Sequence, residues 1–372
     1  MLKNYTSLGL MSGTSGDGVD ASLIKSNGVD KFQVIKDSYF QYDSSIYEGI
    51  HNLKEQIHNS KDLNKYQKEI NNLARKITIF HAKVINKFDM CDQDTLIGFH
   101  GQTIYHNADE KISLQLGDGK LLNQLSKKKI VFNFRKQDIL NGGDGAPITP
   151  IFHQLIATQK KIKLPICILN IGGISNITVI NEPIGSLKIF SKDLGPGNCL
   201  IDNWIRKNSK HKFDNKGLIA SRGKINEIIL EQAQELYSNR INKHKMSFDT
   251  NDFDISFARG LSLEDGAATL TDFTASILGE AITLLFTKFS KIKEILVCGG
   301  GRKNESLLTS LSKKIPNQIN IKLIDKHEVN GDFVESQAFA YLAIRTYKNL
   351  PISFPSTTGC HSPTVGGEII EN

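Results

Sequence analysis

The fold is decided near the start of the chain, in residues 8–20, which read Leu8-Gly9-Leu10-Met11-Ser12-Gly13-Thr14-Ser15-Gly16-Asp17-Gly18-Val19-Asp20. Residues 6–11 predict a short apolar strand, and residues 19–24 predict a strand that returns beside it. The glycines between the two predict a tight turn. The chain is therefore expected to open with a β-hairpin built around a glycine-rich loop.

The composition of this loop is typical of an anion-binding site. Small residues allow main-chain N–H groups to converge on an anion, and the hydroxyls of Ser12, Thr14 and Ser15 add donors. The spacing is neither the P-loop nor the dinucleotide pattern, because both need a helix directly afterwards. Taken alone, the loop is either a phosphate-binding loop or a glycine-rich surface hairpin.

Two carboxylates of the hairpin suit a metal ion. Asp17 and Asp20 are placed to hold water on a phosphate-bound magnesium ion, an arrangement common in phosphoryl transfer. The alternative for Asp17 is a turn residue that bonds its local backbone. These residues alone do not decide between the two roles.

A similar layout recurs in the second half of the chain. Residues 165–171 predict a strand, the Gly172-Gly173 segment a turn, and residues 177–180 a returning strand. Later, residues 294–298 predict a strand that leads through Gly299-Gly300-Gly301 into a helix at 304–314. The three glycines permit close approach of adenosine to the backbone, or form an ordinary connection. The two halves indicate a duplicated α/β architecture around a central nucleotide cleft.

Several polar residues are candidates for sugar binding or catalysis. A buried strand at 95–99 is expected to end just before His100 and Gln102, where side chains face a cleft. Asp193 is predicted just before a loop shaped by Gly195, Pro196 and Gly197, a suitable place for a general base or a turn aspartate. The candidate sugar-binding wall consists of His100, Gln102, Asn133, Arg135 and Asp144, beside Gly142, Gly143 and Gly145, although each alone is more often a structural polar group.

Two long helices complete the pattern. Residues 66–88 carry apolar side chains on one helical face and predict an amphipathic helix, and residues 333–347 predict another. Glu335 begins the second helix, where an acid is also favourable to the helix dipole.

Bulk properties narrow the functional class. A chain of 372 residues exceeds what one core usually supports, so we expect two domains, at 1–134 and 135–351, with the tail 352–372 packing on the first. The net charge of +7 is spread along the chain, without the basic patch of a nucleic-acid binder. Five widely spaced cysteines argue against a disulfide scaffold or zinc site. No run approaches a membrane span and no signal peptide is seen, so a cytoplasmic enzyme is expected.

Taken together, seven segments closely resemble the anhydro-N-acetylmuramic acid kinase family, in the family's order and across nearly the whole chain. They are residues 11–20, Phe99-His100-Gly101-Gln102-Thr103, Asn133-Phe134-Arg135, Gly142-Gly143-Asp144-Gly145-Ala146-Pro147, residues 169–176, Gly195-Pro196-Gly197-Asn198 and Val297-Cys298-Gly299-Gly300-Gly301. The resemblance implies the sugar kinase, Hsp70 and actin fold, in which two RNase H-like α/β domains close on ATP. A homodimer is also implied.

The resemblance further implies a paired reaction in the recycling of bacterial cell-wall sugars. Water opens the 1,6-anhydro ring of anhydro-N-acetylmuramic acid while O6 takes the γ-phosphoryl group of ATP, giving N-acetylmuramic acid 6-phosphate and ADP. Asp193 corresponds to the acid that activates water, Gly13, Thr14, Ser15, Gly16, Asp17, Gly18, Val19 and Asp20 to the phosphate loop, and Glu335 to an acid near the sugar.

The chain departs from the family at two places. Leu194 stands where threonine is common, and residues 243–254 replace a Lys-Ser-Thr-Gly-Arg-Glu stretch, so no site residue is carried over there. The alternatives are a kinase of the same fold for another amino sugar and a non-catalytic nucleotide or sugar sensor. An intact Asp193 together with an intact loop favours the kinase.

Overall fold

The computed structural model describes residues 2–88, 92–240 and 247–371. The chain divides into two compact units. The first comprises Met1–Ile162, Glu182–Ser191 and Asp332–Asn372, and the second comprises Lys163–Asn181 and Lys192–Gly331.

The strands lie in two sheets, one for each unit. In chain order they are β1 (Tyr5–Ser12), β2 (Gly18–Ser26), β3 (Phe32–Gln41), β4 (Leu96–Asn107), β5 (Ile112–Leu116), β6 (Ile130–Phe132), β7 (Ile166–Ile171), β8 (Ile174–Ile180), β9 (Ile189–Pro196), β10 (Glu294–Cys298), β11 (Asn320–Leu323) and β12 (Glu368–Ile370).

The α-helices follow the same chain-order numbering. They are α1 (Ser44–Gln56), α2 (Ser60–Lys65), α3 (Gln67–Ile85), α4 (Gly119–Ser126), α5 (Lys136–Leu140), α6 (Pro150–Gln159), α7 (Cys199–Asn208), α8 (Glu227–Arg240), α9 (Leu263–Lys288), α10 (Glu305–Lys314), α11 (Val334–Tyr347) and α12 (Pro355–Thr358).

The sheet of the first unit has the strand order β12-β6-β4-β1-β2-β3, with β5 paired to β4. The opening hairpin is antiparallel, with Met11 opposite Asp20, and β3 continues it antiparallel to β2. β4 is parallel to β1 on one side and to β6 on the other. The predicted hairpin around the glycine loop is therefore confirmed.

The sheet of the second unit repeats this order as β11-β10-β7-β8-β9. β7 and β8 form an antiparallel hairpin, while β10 is parallel to both β7 and β11. In each unit the first strand is central, with its hairpin partner on one side and a parallel strand on the other. This shared order confirms the predicted duplicated α/β fold of two RNase H-like units.

Helix α11 closes the core of the first unit by lying directly against the sheet backbone. A Cβ atom at Gly9 would lie 1.9 Å from the carbonyl oxygen of Ser336, and one at Gly98 would lie 2.3 Å from that of Phe339. Only glycine in β1 and β4 permits this approach. On the same helix, Phe339 and Tyr341 are almost completely buried.

The domain boundaries differ from the predicted ones. Residues 135–162 and 332–351, assigned to the second domain from the sequence, belong to the first unit. The reason is packing: α11 covers β1 and β4, and the side chain of Gln159 in α6 bonds both the N–H and the carbonyl of Phe32 in β3, at 2.8 and 2.7 Å. The tail 352–372 lies in the first unit, where β12 pairs with β6.

Helix α9 is long and apolar. Among the described residues it is the one helix long and apolar enough to cross a membrane, with 26 residues and an 18-residue window whose mean hydropathy is 1.2. However, 72% of its apolar window is buried within the protein. Such a helix is typical of a protein core, and here Trp204 covers it at Gly266, where a Cβ would lie 2.2 Å from the indole.

Candidate active site

The glycine loop joins β1 and β2 in the first unit. Its turn is closed by the N–H of Gly16, which donates to the carbonyl of Gly13 at 3.1 Å. Gly16 has a φ of 62°, and a Cβ there would lie 2.9 Å from Cγ2 of Ile50 in α1. Glycine is therefore required at this position by both conformation and packing.

Two hydroxyls of the loop, those of Ser12 and Ser15, are engaged within the protein. Oγ of Ser12, which is buried, lies 2.6 Å from Oε1 of Gln102 and 3.0 Å from the carbonyl oxygen of Gly18. Oγ of Ser15 donates to Oδ1 of Asp17 at 2.5 Å. These two hydroxyl protons therefore stabilise the hairpin, which differs from their expected use as phosphate donors.

Gln102 lies behind the same loop. Its Nε2 donates to the carbonyl of Gly13 at 3.0 Å and to that of Thr103 at 3.2 Å, and its side chain is fully buried. Sequence analysis placed Gln102 after a strand, but β4 continues to Asn107 because its second half pairs with β5. The structure thus joins Gln102 to the glycine loop.

His100 and Arg135, two of the predicted sugar-binding residues, contact each other. Nη2 of Arg135 lies 3.1 Å from Nε2 of His100, whose Nδ1 lies 2.9 Å from the carbonyl oxygen of Gly101. Nδ1 therefore carries the proton and Nε2 accepts. Burial, reinforced by the Arg135 charge, lowers the pKa of His100 well below its usual value. The histidine is neutral at pH 7, and Nη1 of Arg135 also donates to Gly145 O at 2.8 Å.

A buried aspartate that sequence analysis missed shapes the loop at 142–147. Carboxylate oxygens of Asp138 accept from the N–H of Gly145 at 2.8 Å, from Oγ of Ser353 at 2.5 Å and from Oγ1 of Thr358 at 2.7 Å. The carbonyl of Thr358 in turn accepts from the N–H of Asp144 at 2.8 Å. The tail of the chain therefore holds this loop, a long-range relation that no local pattern signals.

The other two sugar-side candidates occupy distinct positions in the first unit. Asn133 has a φ of 54° and its side chain is hydrogen-bonded to Glu368. Glu335 is partly buried in the first turn of α11. The next residue on that turn, Ser336, has its Oγ 2.6 Å from Oγ of Ser22 in β2. The turn that carries Glu335 is thus attached to the sheet.

Asp193 is the buried carboxylate of the second unit. It lies within β9, which continues to Pro196, and not just before a loop as the sequence predicted. Its side chain is 5% exposed, and Oδ2 accepts from the main-chain N–H of Phe248 at 2.8 Å. Phe248 belongs to the altered stretch 243–254, of which residues 243–246 lie outside the described part. A main-chain contact of this kind has no sequence signal. Leu194 is buried, at 4% exposure.

The loop after Asp193 packs on the second glycine turn. The N–H groups of Gly197 and Asn198 donate to the carbonyls of Gly173 and Gly172, each at 2.8 Å. A Cβ at Gly197 would lie only 2.2 Å from the carbonyl oxygen of Gly172. The structure therefore brings together Asp193 and the Gly172-Gly173 turn through β9 and its loop.

The third glycine segment is held by an ion pair. Arg302, whose side chain is 6% exposed, pairs with Asp325 through Nε at 2.9 Å and Nη2 at 3.1 Å. Its Nη1 donates to the carbonyl of Gly299 at 3.2 Å. The N–H of Gly299 also donates to the carbonyl of Gly331 at 2.9 Å.

Three of the predicted nucleotide-contact glycines have open space where a side chain would be. A Cβ at Gly300 would meet nothing within 4 Å, one at Gly13 would lie 3.9 Å from its nearest neighbour, and one at Gly172 would lie 3.4 Å away. None of the three has a positive φ. A Cβ at these three positions would meet neither a clash nor a left-handed backbone conformation, so another group has room to approach the backbone there.

The described residues contain no group of three or more histidine, cysteine, aspartate or glutamate side chains placed to hold a metal ion. Asp17 and Asp20 both lie on the hairpin beside the loop. A pair of carboxylates suits an ion held mainly by phosphate oxygens and water.

Comparison with known proteins agrees with these observations. Residues 5–372 match the profile of the family described as anhydro-N-acetylmuramic acid kinase. A relative of that name from Pelagibacter ubique (strain HTCC1062) is 52% identical, with 100% of both chains covered. Another from Zymomonas mobilis is 36% identical and covers 97% of this chain and 98% of its own.

Two solved structures show a distant similarity. The activator of the 2-hydroxyisocaproyl-CoA dehydratase from Clostridium difficile with bound ADPNP has a TM-score of 0.41 at 10% identity, covering 92% of this chain and 96% of its own. Component A of the Acidaminococcus fermentans (R)-2-hydroxyglutaryl-CoA dehydratase also has a TM-score of 0.41, at 13% identity, covering 91% and 99%. By the match of its sequence over nearly its whole length, this chain belongs to the anhydro-N-acetylmuramic acid kinase family.

Proposed function

We propose that this protein is an ATP-dependent kinase that opens 1,6-anhydro-N-acetylmuramic acid and phosphorylates O6, in the recycling of cell-wall amino sugars. Family membership supports the substrate and the reaction. The observation that carries the mechanism is the buried Asp193 carboxylate, with one oxygen anchored by the N–H of Phe248. A carboxylate fixed in this way is oriented to accept a proton from a water molecule.

The proposed reaction joins ring opening by water to phosphoryl transfer. A water oxygen bonds to the anomeric carbon C1 as the C1–O6 bond breaks, and the water proton passes to Asp193. O6 attacks the γ-phosphorus in line, and the bond to the bridging oxygen of ADP breaks. Because the anhydro ring blocks O6 until it opens, ring opening and phosphoryl transfer are coupled. Positioning and charge stabilisation supply most of the catalysis.

The nucleotide is assigned to the three glycine segments. The loop from Gly13 to Asp20 would bind the phosphates, and Gly172, Gly173, Gly299, Gly300 and Gly301 would contact the remainder of ATP. Magnesium would be held through water by Asp17 and Asp20, together with phosphate oxygens, and it neutralises charge on the phosphates. The open space at Gly13, Gly172 and Gly300 supports this assignment.

The sugar is assigned to His100, Asn133, Arg135 and Glu335, with Gln102 acting through the phosphate loop. The neutral His100 orients Arg135, whose fixed charge suits a carboxylate such as the lactyl group of the muramic acid. Glu335 would accept hydrogen bonds from sugar hydroxyls. We also place the protein in the cytoplasm as a homodimer, which sedimentation of the purified protein would test.

The reaction is tested with purified protein, ATP, magnesium and the anhydro sugar in oxygen-18 water, with the product analysed by mass spectrometry. We expect a phosphorylated sugar that carries one solvent oxygen, at the anomeric position. Phosphorylation of free N-acetylmuramic acid but not of the anhydro sugar would contradict the assignment. A panel of other amino sugars in the same assay tests the substrate.

The proposed base is tested by Asp193→Asn. The amide cannot accept the proton, so we expect kcat to fall by at least about a hundredfold, the lower range of general-base effects, while ATP affinity changes little. Asp94→Asn, a change of an exposed aspartate, is the matched control and should keep full activity. Full turnover by Asp193→Asn would remove this residue from the mechanism.

A further inference from the structure

The outer side of the glycine loop is covered by one face of helix α1. Ile50 fills the space beside Gly16, Nε2 of His51 lies 3.0 Å from the carbonyl oxygen of Ser15, and Nζ of Lys54 lies 2.7 Å from that of Thr14. The three residues are at i, i+1 and i+4 and so lie on one side of the helix. Side chains of helix α1 therefore bind the carbonyl groups of the loop.

The contact with Lys54 has a directional consequence for the loop. In a trans peptide the C=O of one residue and the N–H of the next point in opposite directions. When Lys54 donates to the carbonyl of Thr14, the N–H of Ser15 is turned toward the opposite side of the loop. A charged donor on the carbonyl also polarises the peptide and strengthens its N–H as a donor. An ammonium group on one side thus prepares the other side for an anion.

His51 acts on the neighbouring peptide. Its ring is 4.4 Å from that of Tyr47, one turn earlier in α1, which holds the imidazole in place. A carbonyl oxygen only accepts, so Nε2 of His51 carries the proton in this contact. The carbonyl of Asp17 is bound separately, by the hydroxyl of Tyr39 at 3.0 Å. Three carbonyl groups of the loop, those of Thr14, Ser15 and Asp17, are therefore bound by side chains outside it.

We propose that Lys54, assisted by His51, is a positioning residue of the nucleotide phosphate site: it holds and polarises the peptide groups of the loop without contacting the phosphates. This inference rests on the proposed role of the loop in ATP binding. It predicts that Lys54 matters for ligands that carry phosphates and not for the nucleoside alone.

The test compares the binding of ATP, ADP and adenosine to the full-length protein by calorimetry, with magnesium present. We expect Lys54→Met to raise the Kd of ATP and ADP by about tenfold, as for the loss of a charged hydrogen bond, and to leave the Kd of adenosine within twofold. His51→Phe, which keeps the ring contact with Tyr47, should raise the Kd of ATP by a smaller factor. Lys54→Arg keeps both charge and donor and should restore ATP binding.

The control is Lys61→Met, which removes an exposed charge from the neighbouring helix α2 and should bind all three ligands as the wild type does. Unchanged ATP binding by Lys54→Met, an equal loss for ATP and adenosine, or the same loss in Lys61→Met would each overturn the inference. If the methionine variant does not fold, Lys54→Gln provides the same comparison. Wild-type protein that binds no ATP would instead overturn the proposed function, and this inference with it.

Discussion

The glycines in the loops of this protein fall into two groups, which differ in the space around each position. Gly299 has a φ of 80°, and a Cβ there would lie 2.4 Å from Oδ1 of Asn170. Gly300, its neighbour, has neither constraint. We predict that Gly299→Ala lowers the free energy of unfolding by at least about 1–3 kcal/mol through strain, whereas Gly300→Ala does not. Thermal unfolding without ligand checks this difference.

The variants at Gly299 and Gly300 also distinguish an effect on stability from an effect on ATP binding. If the proposed nucleotide assignment holds, Gly300→Ala should weaken ATP binding, because its methyl group enters the space that the proposal assigns to ATP, and Gly13→Ala should behave alike. The outcome that would contradict the assignment is a Gly300→Ala protein that binds ATP as tightly as the wild type. In that case the open space would have no role in nucleotide binding.

A buried histidine gives the first unit a specific response to acid. His81 is fully buried, its Nδ1 donates to the carbonyl of Ile77 at 2.8 Å, and burial lowers its pKa to about 4 from 6.5. Above pH 6.5 His81 is neutral in both the folded and the unfolded chain, so its titration does not lower the free energy of unfolding there. Between pH 6.5 and about 4 only the unfolded chain binds it, so stability falls, by about 3 kcal/mol in all.

Replacing His81 removes its own contribution to this response. We expect His81→Leu to lose less stability than the wild type as the pH is lowered from 7 to 4.5, measured by urea unfolding at each pH. Nε2 of His81 has no hydrogen-bond partner among the described residues, so the apolar replacement strands no polar group there. An identical pH dependence in both proteins would show that His81 titrates normally.

At this scale the sequence predicted residue types better than their partners. The glycine loop and Asp193 were identified because small residues and a carboxylate have a recognisable chemistry. Asp138 and Phe248 were not, since the first is bound by the distant tail and the second contributes only its main-chain N–H. Gln102 was assigned to the sugar, but its amide binds the loop, a contact that depends on the register of β4 with β1.

Among the elements, the connection after β10 depends on the ion pair between Arg302 and Asp325. Burial alone would raise the pKa of Asp325, but the hydrogen bonds and charge of Arg302 outweigh it and lower that pKa below 3.8. We predict that Asp325→Asn costs about 2 kcal/mol of stability at pH 7, a modest value because the carboxylate is 38% exposed.

The cost should depend on pH in a defined direction. A carboxyl group with a lowered pKa stabilises the fold above pH 3.8, and this is lost as the pH falls below 3.8. The difference in stability between wild type and Asp325→Asn should therefore shrink as the pH is lowered from 5 to 3. Denaturant unfolding across this range is the measurement, and a constant difference would contradict an ionic contribution.

The two long helices were predicted well, because each carries a periodic apolar pattern. The helix expected at 66–88 is α3 (Gln67–Ile85), and that at 333–347 is α11. β4 is longer than predicted because its polar end pairs with β5, and β9, which carries Asp193, was not predicted as a strand. Pairing between distant segments is not visible in a local pattern, and this placed His100 and Asp193 outside their strands.

At the scale of the whole molecule, the number of domains followed from chain length, but their boundaries did not. The first unit is built from three separate segments, and the closest contact of α11 with its sheet is backbone packing at Gly9 and Gly98. Such a contact between backbones has no complementary pair of side chains that a sequence could display. The boundary was therefore misplaced.

Because the first unit is built from three separate segments, we predict that two fragments of the chain differ in their ability to fold. Residues 163–331 contain the second unit with all of β7, β8, β10 and β11, so we expect this fragment to fold cooperatively by itself. Residues 1–331 lack α11, so their first unit should not form a protected core. Hydrogen exchange on both fragments tests this, and a protected β1 in the fragment 1–331 would contradict it.

The late position of α11 also has a consequence for synthesis on the ribosome. The main strands of the first unit, β1 to β6, are made before residue 133, yet the helix that covers them is made only after the second unit is complete. The part of the chain translated first therefore finishes folding last, and the apolar face of its sheet stays exposed until α11 has been made. We expect the nascent chain to engage holding chaperones throughout translation of residues 163–331, and to be released once Tyr347 has emerged.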